Sequence, residues 1–185
     1  MTAPAQALER IAAARLIAIV RTGDLDEALR VTEAVHGAGV EIVEYSLAGN
    51  AALAAIRACR KRFGDAVLLG AGTVLTGQQA AVAVDAGADF LIAPNVDAEV
   101  LESASGLGVL HIPGALTPTE IVLATRLGAP AVKLFPAARL GSAYVRDLRG
   151  PLPDLRLIAT RGPHPPMSCS PRDHACVVWP VVLHA

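Results

Sequence analysis

The sequence predicts an α/β chain folded as a (β/α)-barrel, on three observations. Short apolar runs recur along the chain at a spacing of roughly 20 to 25 residues, the length of one strand plus one helix. The stretches between them are amphipathic, open on helix-capping residues and stop at glycines. Hydrophobic residues make up 53% of the chain but aromatics only 3%. Its core is therefore built from Ala, Val, Leu and Ile, which suits parallel strands covered by helices. At 185 residues the chain has the length of one ordinary domain with a real core.

The elements follow in order. A helix is expected at about 3–14. The strand runs are "LIAIV" (16–20), "EIVEYSL" (41–47), "AVLLGAG" (66–72), "DFLIAP" (89–94), "GVLHIPG" (108–114), "AVKLFP" (131–136) and "LRLIAT" (155–160). Asp24 and Asp26 lead into "EALRVTEAVHGAG", and "TGQQAAVAVDAGA" and "TPTEIVLATRLGA" are further helices ending at glycine. In the last, Thr117 is placed as N-cap, Pro118 as the first helical residue and Glu120 as the capping-box partner. A doubly wound open sheet fits the alternation too. The small, strictly repeated units favour a barrel, and no GxGxxG follows the first strand to support dinucleotide binding.

The pattern stops after Thr160. The remaining "RGPHPPMSCSPRDHACVVWPVVLHA" holds five of the 13 prolines, two of the three cysteines and the only tryptophan. Residues 1–160 are read as a barrel domain, and 161–185 as an atypical tail in place of a last βα unit. "CVVWPVVL" has strand character, interrupted by Pro180. A barrel ending after seven strands is expected to leave two open edges.

Charge and composition exclude several classes. The net charge is -1 with no basic stripe, against nucleic acid. No apolar run reaches the roughly 18 residues of a membrane span. The first residues lack the basic-then-apolar order of a secretory signal, so a cytoplasmic location is expected. Three scattered cysteines without CxxC give no zinc or disulfide framework, and no metal or other cofactor is expected.

In such a barrel chemistry gathers at the carboxyl ends of the strands. Those ends carry Arg21; Glu44 and Ser46; Thr73; Pro94 and Asn95; His111, Pro113 and Gly114; and Lys133. Lys133 is one of two lysines and stands inside an apolar run, as does Glu44. A buried charge without compensation is costly. An amine in an apolar pocket loses its proton more easily and can add to a ketone, while a carboxylate moves the protons. That is the logic of a metal-free aldolase. A plain buried ion pair, or snorkelling to the surface, explains the same residues. For Arg21 a structural salt bridge, for Thr73 a cap or turn, for His111 core packing, and for Pro94 and Pro113 strand termination stand beside the functional readings.

The stretches "LIAIVRTGDLDEAL", "GVEIVEYSL", "GAGTVLTGQQ", "FLIAPNVDAEVL", "HIPGALTPTE" and "AVKLFPAA" together resemble the 2-keto-3-deoxy-6-phosphogluconate / 2-keto-3-deoxy-6-phosphogalactonate aldolase family, from about residue 14 to 160. The resemblance implies a trimeric (β/α)8 barrel of the TIM type, here incomplete after the seventh strand. It implies class I cleavage of a phosphorylated sugar acid to pyruvate and glyceraldehyde 3-phosphate. By position, Lys133 matches the Schiff-base lysine, Glu44 the general acid/base and Thr73 a pyruvyl-binding threonine. Arg21 matches the arginine of the galactonate-type branch, and Pro94 and Pro113 match prolines at the mouth.

Two departures qualify this. Gluconate-type members carry an arginine on strand 2 where Ala48 stands here, so the galactonate-type substrate is favoured. The glycines and serine that hold the phosphate in the family are not matched after residue 160, except by Gly162. This abrupt change reads as a reading-frame shift near 160–161. An impaired or inactive barrel remnant, able to assemble with an intact homologue, is therefore the competing function. Another phosphate-sugar barrel, an isomerase or decarboxylase, is a third.

Overall fold

The computed structural model describes residues 2–137, 140–160 and 177–180. Helix α1 (Pro4–Ala14) leads into strand β1 (Leu16–Val20). Then follow α2 (Leu25–Gly37), β2 (Ile42–Ser46), α3 (Ala52–Phe63), β3 (Leu68–Gly72), α4 (Gly77–Asp85), β4 (Phe90–Ile92) and α5 (Ala98–Gly106). The chain continues through β5 (Leu110–Ile112), β6 (Gly114–Ala115), α6 (Pro118–Arg126), β7 (Val132–Leu134), α7 (Gly141–Arg149) and β8 (Leu157–Ala159) to β9 (Val177–Pro180).

Helix starts follow the capping chemistry of the sequence. Asp24, Thr76, Asp97 and Thr117 each accept a backbone N–H three residues on. Thr117 and Glu120 form the full capping box. Each such cap contributes about 1 kcal/mol.

Strands β1 to β5 lie side by side, all parallel, and β6, β7 and β8 form a second parallel set. One residue, Pro113, separates β5 from β6 and joins the two sets. The chain pairs with β4 before Pro113 and with β7 after it, and the Pro113 carbonyl accepts the Lys133 N–H at 2.8 Å. Proline has no N–H to continue a ladder. One run of sequence thus becomes two strands.

Alternation along the strands sorts the core into two sides. Ile17, Ile42, Leu68, Phe90, Ile92, Leu110, Ile112, Ala131 and Ile158 face inward and pack with Ala7, Leu8 and Ile11 of α1, which closes the amino-terminal end. Ala18, Val20, Val43, Tyr45, Leu69, Ala71 and Leu91 face out against the helices. Gly70 is needed inside: a Cβ there would lie 2.2 Å from the Phe90 ring. Asp89, buried at the start of β4, accepts the Leu69 N–H at 3.1 Å, the Thr2 N–H at 3.1 Å and the Arg60 guanidinium, which ties α1 and α3 to the sheet.

The tail corrects one expectation. β9 pairs antiparallel with β1, Leu16 opposite Pro180 and Ile19 opposite Val177. The β1 edge is therefore covered rather than open. Pro180 ends the strand, where its missing N–H costs least. Among the described residues no parallel eighth strand joins β8 to β1.

Candidate active site

The site is set where the inward rows of β1, β2, β3 and β7 emerge at the carboxyl end. Lys133 is the middle residue of β7 and 8% exposed; Glu44 is the middle residue of β2 and 3% exposed. Both are too buried to snorkel. They make no direct ion pair, yet they sense each other. Burial pushes the Glu44 carboxyl above its usual range, and the Lys133 charge pulls it partly back. The Lys133 Nζ stands 5.0 Å from the centroid of the Phe135 ring, whose face stabilises positive charge.

Glu44 reaches this place because β3 makes room. It pairs across to Gly70, but its carboxyl leans toward the mouth over Gly72. A Cβ on Gly72 would sit 1.8 Å from Glu44 Oε1. Any other residue at 72 displaces the carboxyl.

Thr73 follows directly, with φ 62, a left-handed conformation that β-branched residues rarely adopt. Its hydroxyl lies 3.0 Å from that of Ser46. Thr73 is not a helix cap, since Thr76 caps α4. Arg21 continues the inward row of β1, is exposed and has no ion-pair partner among the described residues. The loop behind it is fixed: Thr22 Oγ1 donates to Glu27 and accepts the Asp24 N–H, and Gly49 lies so close that a Cβ would meet the Thr22 carbonyl at 2.4 Å.

Pro94 and Pro113 end their strands side by side. Gly114 packs on Pro94, where a Cβ would lie 2.4 Å from its carbonyl. Pro113 is buried and Pro94 half-buried. His111 is not part of the group. Leu110 and Ile112 face inward, so His111 points out to the helix layer, buried, with neither ring nitrogen hydrogen-bonded. Burial pushes it down to about 4, against the opposing pull of Asp97. Gly162 lies outside the described residues.

Lys133, Glu44, Thr73 and Arg21 thus share one end of the barrel. Phe135 and Gly72 were not singled out by sequence reasoning. Phe135 reads as one more apolar residue of "KLFP", and only the fold gives it the amine as neighbour.

The class these observations define is a parallel-stranded barrel with a buried amine and a buried carboxyl at the carboxyl ends of its strands. The model of the KDPG and KHG aldolase family matches residues 8–171. The chain is 38% identical to the 2-dehydro-3-deoxy-6-phosphogalactonate aldolase of Escherichia coli K12, over 81% of this chain and 74% of that one. It is also 38% identical to the 2-dehydro-3-deoxy-phosphogluconate aldolase of Treponema pallidum, over 86% and 74%. The KDPG aldolase of Legionella pneumophila, solved with pyruvate captured as a covalent carbinolamine, superposes with a TM-score of 0.79 at 30% identity, covering 88% and 77%. The chain belongs to the KDPG and KHG aldolase family and is an aldehyde-lyase.

Proposed function

We propose that the chain is a class I aldolase that cleaves a 2-keto-3-deoxy-6-phospho sugar acid to pyruvate and glyceraldehyde 3-phosphate. The observation that carries this reading is the buried Lys133 amine facing the buried Glu44 carboxyl. The amine adds to the C2 ketone to give a carbinolamine, and loss of water gives an iminium. When the C3–C4 bond breaks, its electron pair moves to C3 and into the iminium, leaving an enamine, while the C4 hydroxyl gives up its proton as the aldehyde forms. Glu44 moves protons in these steps; burial raises its pKa, so its protonated form is more readily held than an ordinary carboxylate's. The Phe135 face favours the cationic iminium.

Thr73 holds the pyruvyl carboxylate, Arg21 binds the sugar acid at the open side, and Pro94 and Pro113 line the mouth. Ala48 and Arg21 support the galactonate-type substrate over the gluconate type, the relatives being named for both. Residues 1–160 act as the catalytic barrel; 161–185, with Gly162, follow in sequence in place of the family's last βα unit. The working assembly is a homotrimer. No helix among the described residues is long and apolar enough to cross a membrane.

The antiparallel β9 supports a second reading, an impaired barrel that lacks the phosphate end. Sequencing the gene across codons 160–161 tests whether the tail arises from a frame shift. Borohydride trapping with pyruvate, read by peptide mass spectrometry, tests the chemistry. An adduct on Lys133 is expected; a folded chain that takes no adduct belongs to the remnant reading. Retro-aldol assays with the two phosphorylated sugar acids then decide the stereochemistry.

A further inference from the structure

Ser46 stands two residues beyond Glu44 on the inward row of β2, 7% exposed, and its hydroxyl meets that of Thr73 at 3.0 Å across 27 positions of sequence. The Ala48 N–H approaches Ser46 Oγ at 3.4 Å. Ser46 Oγ keeps a second lone pair, so either hydroxyl of the pair can donate to the other. With Ser46 as the donor, the Thr73 hydroxyl keeps its own proton free to point into the mouth. Such a chain polarises each member and strengthens the last donor. Thr73 meanwhile sits in the left-handed region at φ 62. A β-branched residue stays there only when its surroundings hold it. The hydrogen bond with Ser46 is such a hold, together with the backbone on either side, where the Gly72 carbonyl accepts the Leu47 N–H at 2.8 Å and the Val74 N–H donates to Ile92 at 3.1 Å.

We propose that Ser46 is a positioning residue that acts through Thr73, aiming the Thr73 hydroxyl proton at the carboxylate of a bound 2-keto acid. This pair of hydroxyls meets the carboxylate from the β2–β3 side. The inference rests on the Schiff-base reading of Lys133.

The test uses two probes of nearly the same shape, pyruvate and its neutral methyl ester, each trapped on Lys133 with borohydride. Ser46→Ala raises the half-saturating pyruvate concentration about tenfold, the scale of one hydrogen bond to a charged group. It leaves methyl pyruvate unchanged. Ser46→Thr restores the pyruvate value. Thr73→Val loses the same discrimination, and adding Ser46→Ala to it costs nothing more. Equal loss on both probes makes Ser46 merely structural and overturns the proposal. Additive losses in the double variant make Ser46 a direct contact and overturn it as well. If the unsubstituted chain takes neither probe, the Schiff-base reading itself fails, an outcome distinct from a chain that traps both but draws no distinction through Ser46.

Discussion

The β2–β3 wall and the β8–β9 side differ in how much of their geometry is fixed. β2 and β3 run five residues each, every position is buried, and five residue pairs are in register from Ile42↔Leu68 to Ser46↔Gly72. β8 is three residues long, pairs among the described residues only with β7 through three residue pairs, and its last residue is half-buried. β9 approaches from the tail and runs against β1. Glu44, Gly72, Thr73 and Ser46 all stand on the first wall. The chemistry of bond cleavage asks for placement within a fraction of an ångström, and the continuous parallel sheet supplies it. Anchoring a distant anionic group tolerates a looser frame. On the proposed reading, an altered last unit is expected to spare the amine chemistry and to cost mainly substrate affinity.

The strongest attack on this contrast removes the amine. Lys133→Ala is expected to lower retro-aldol turnover by about a thousandfold or more, because the proposed covalent intermediate forms on this amine. Pyruvate trapping at residue 133 disappears with it. Turnover that survives the change moves the chain to another barrel chemistry.

Next in size is an acid effect on β5, where the two parallel sets of strands meet. His111 titrates at about 4 in the folded chain and near 6.5 when unfolded. Between these values the unfolded chain binds a proton that the folded one refuses. The contribution is complete above pH 6.5 and falls as pH drops toward 4, by about 3 kcal/mol at most. Urea midpoints measured from pH 7 to 4 report it. His111→Leu is expected to flatten that limb, since both ring nitrogens are unpaired and no hydrogen bond is lost.

Gly72→Ala sharpens the comparison from the other side. The new Cβ displaces the Glu44 carboxyl, and kcat is expected to fall about a hundredfold while circular dichroism and the pyruvate adduct persist. An unchanged kcat removes Glu44 from proton transfer.

The smallest effect is expected from the tail. A chain ended after Thr160 loses the four-residue backbone ladder of β9 on β1, worth about 2 kcal/mol in hydrogen bonds. That lowers the thermal midpoint by about 4 to 8 °C. The bared β1 edge also invites association, visible as high-mass species in light scattering. The Lys133 adduct is retained. Loss of the adduct on truncation shows that the two regions are not separable.

Much of this was readable along the chain. Strand and helix order followed from periodicity, since each element buries its own face. Asp24 and Thr117 announced helix starts through purely local hydrogen bonds. Lys133 and Glu44 stood out as charges inside apolar runs. The covered β1 edge was not readable, because an antiparallel partner from the far end of the chain leaves no trace in the pattern of β1 itself.

The sequence by itself determined the alternating strands and helices, their caps, and the two buried charges, because propensity, periodicity and desolvation act on neighbours along the chain. Only the tertiary structure decided that Glu44 leans on Gly72, that Ser46 bonds Thr73, that Pro113 divides a strand between two partners, and that His111 faces away from the lysine. Each of these depends on which residues the closing sheet brings side by side. That choice is made by pairing register and by the space that side chains and glycines leave between strands.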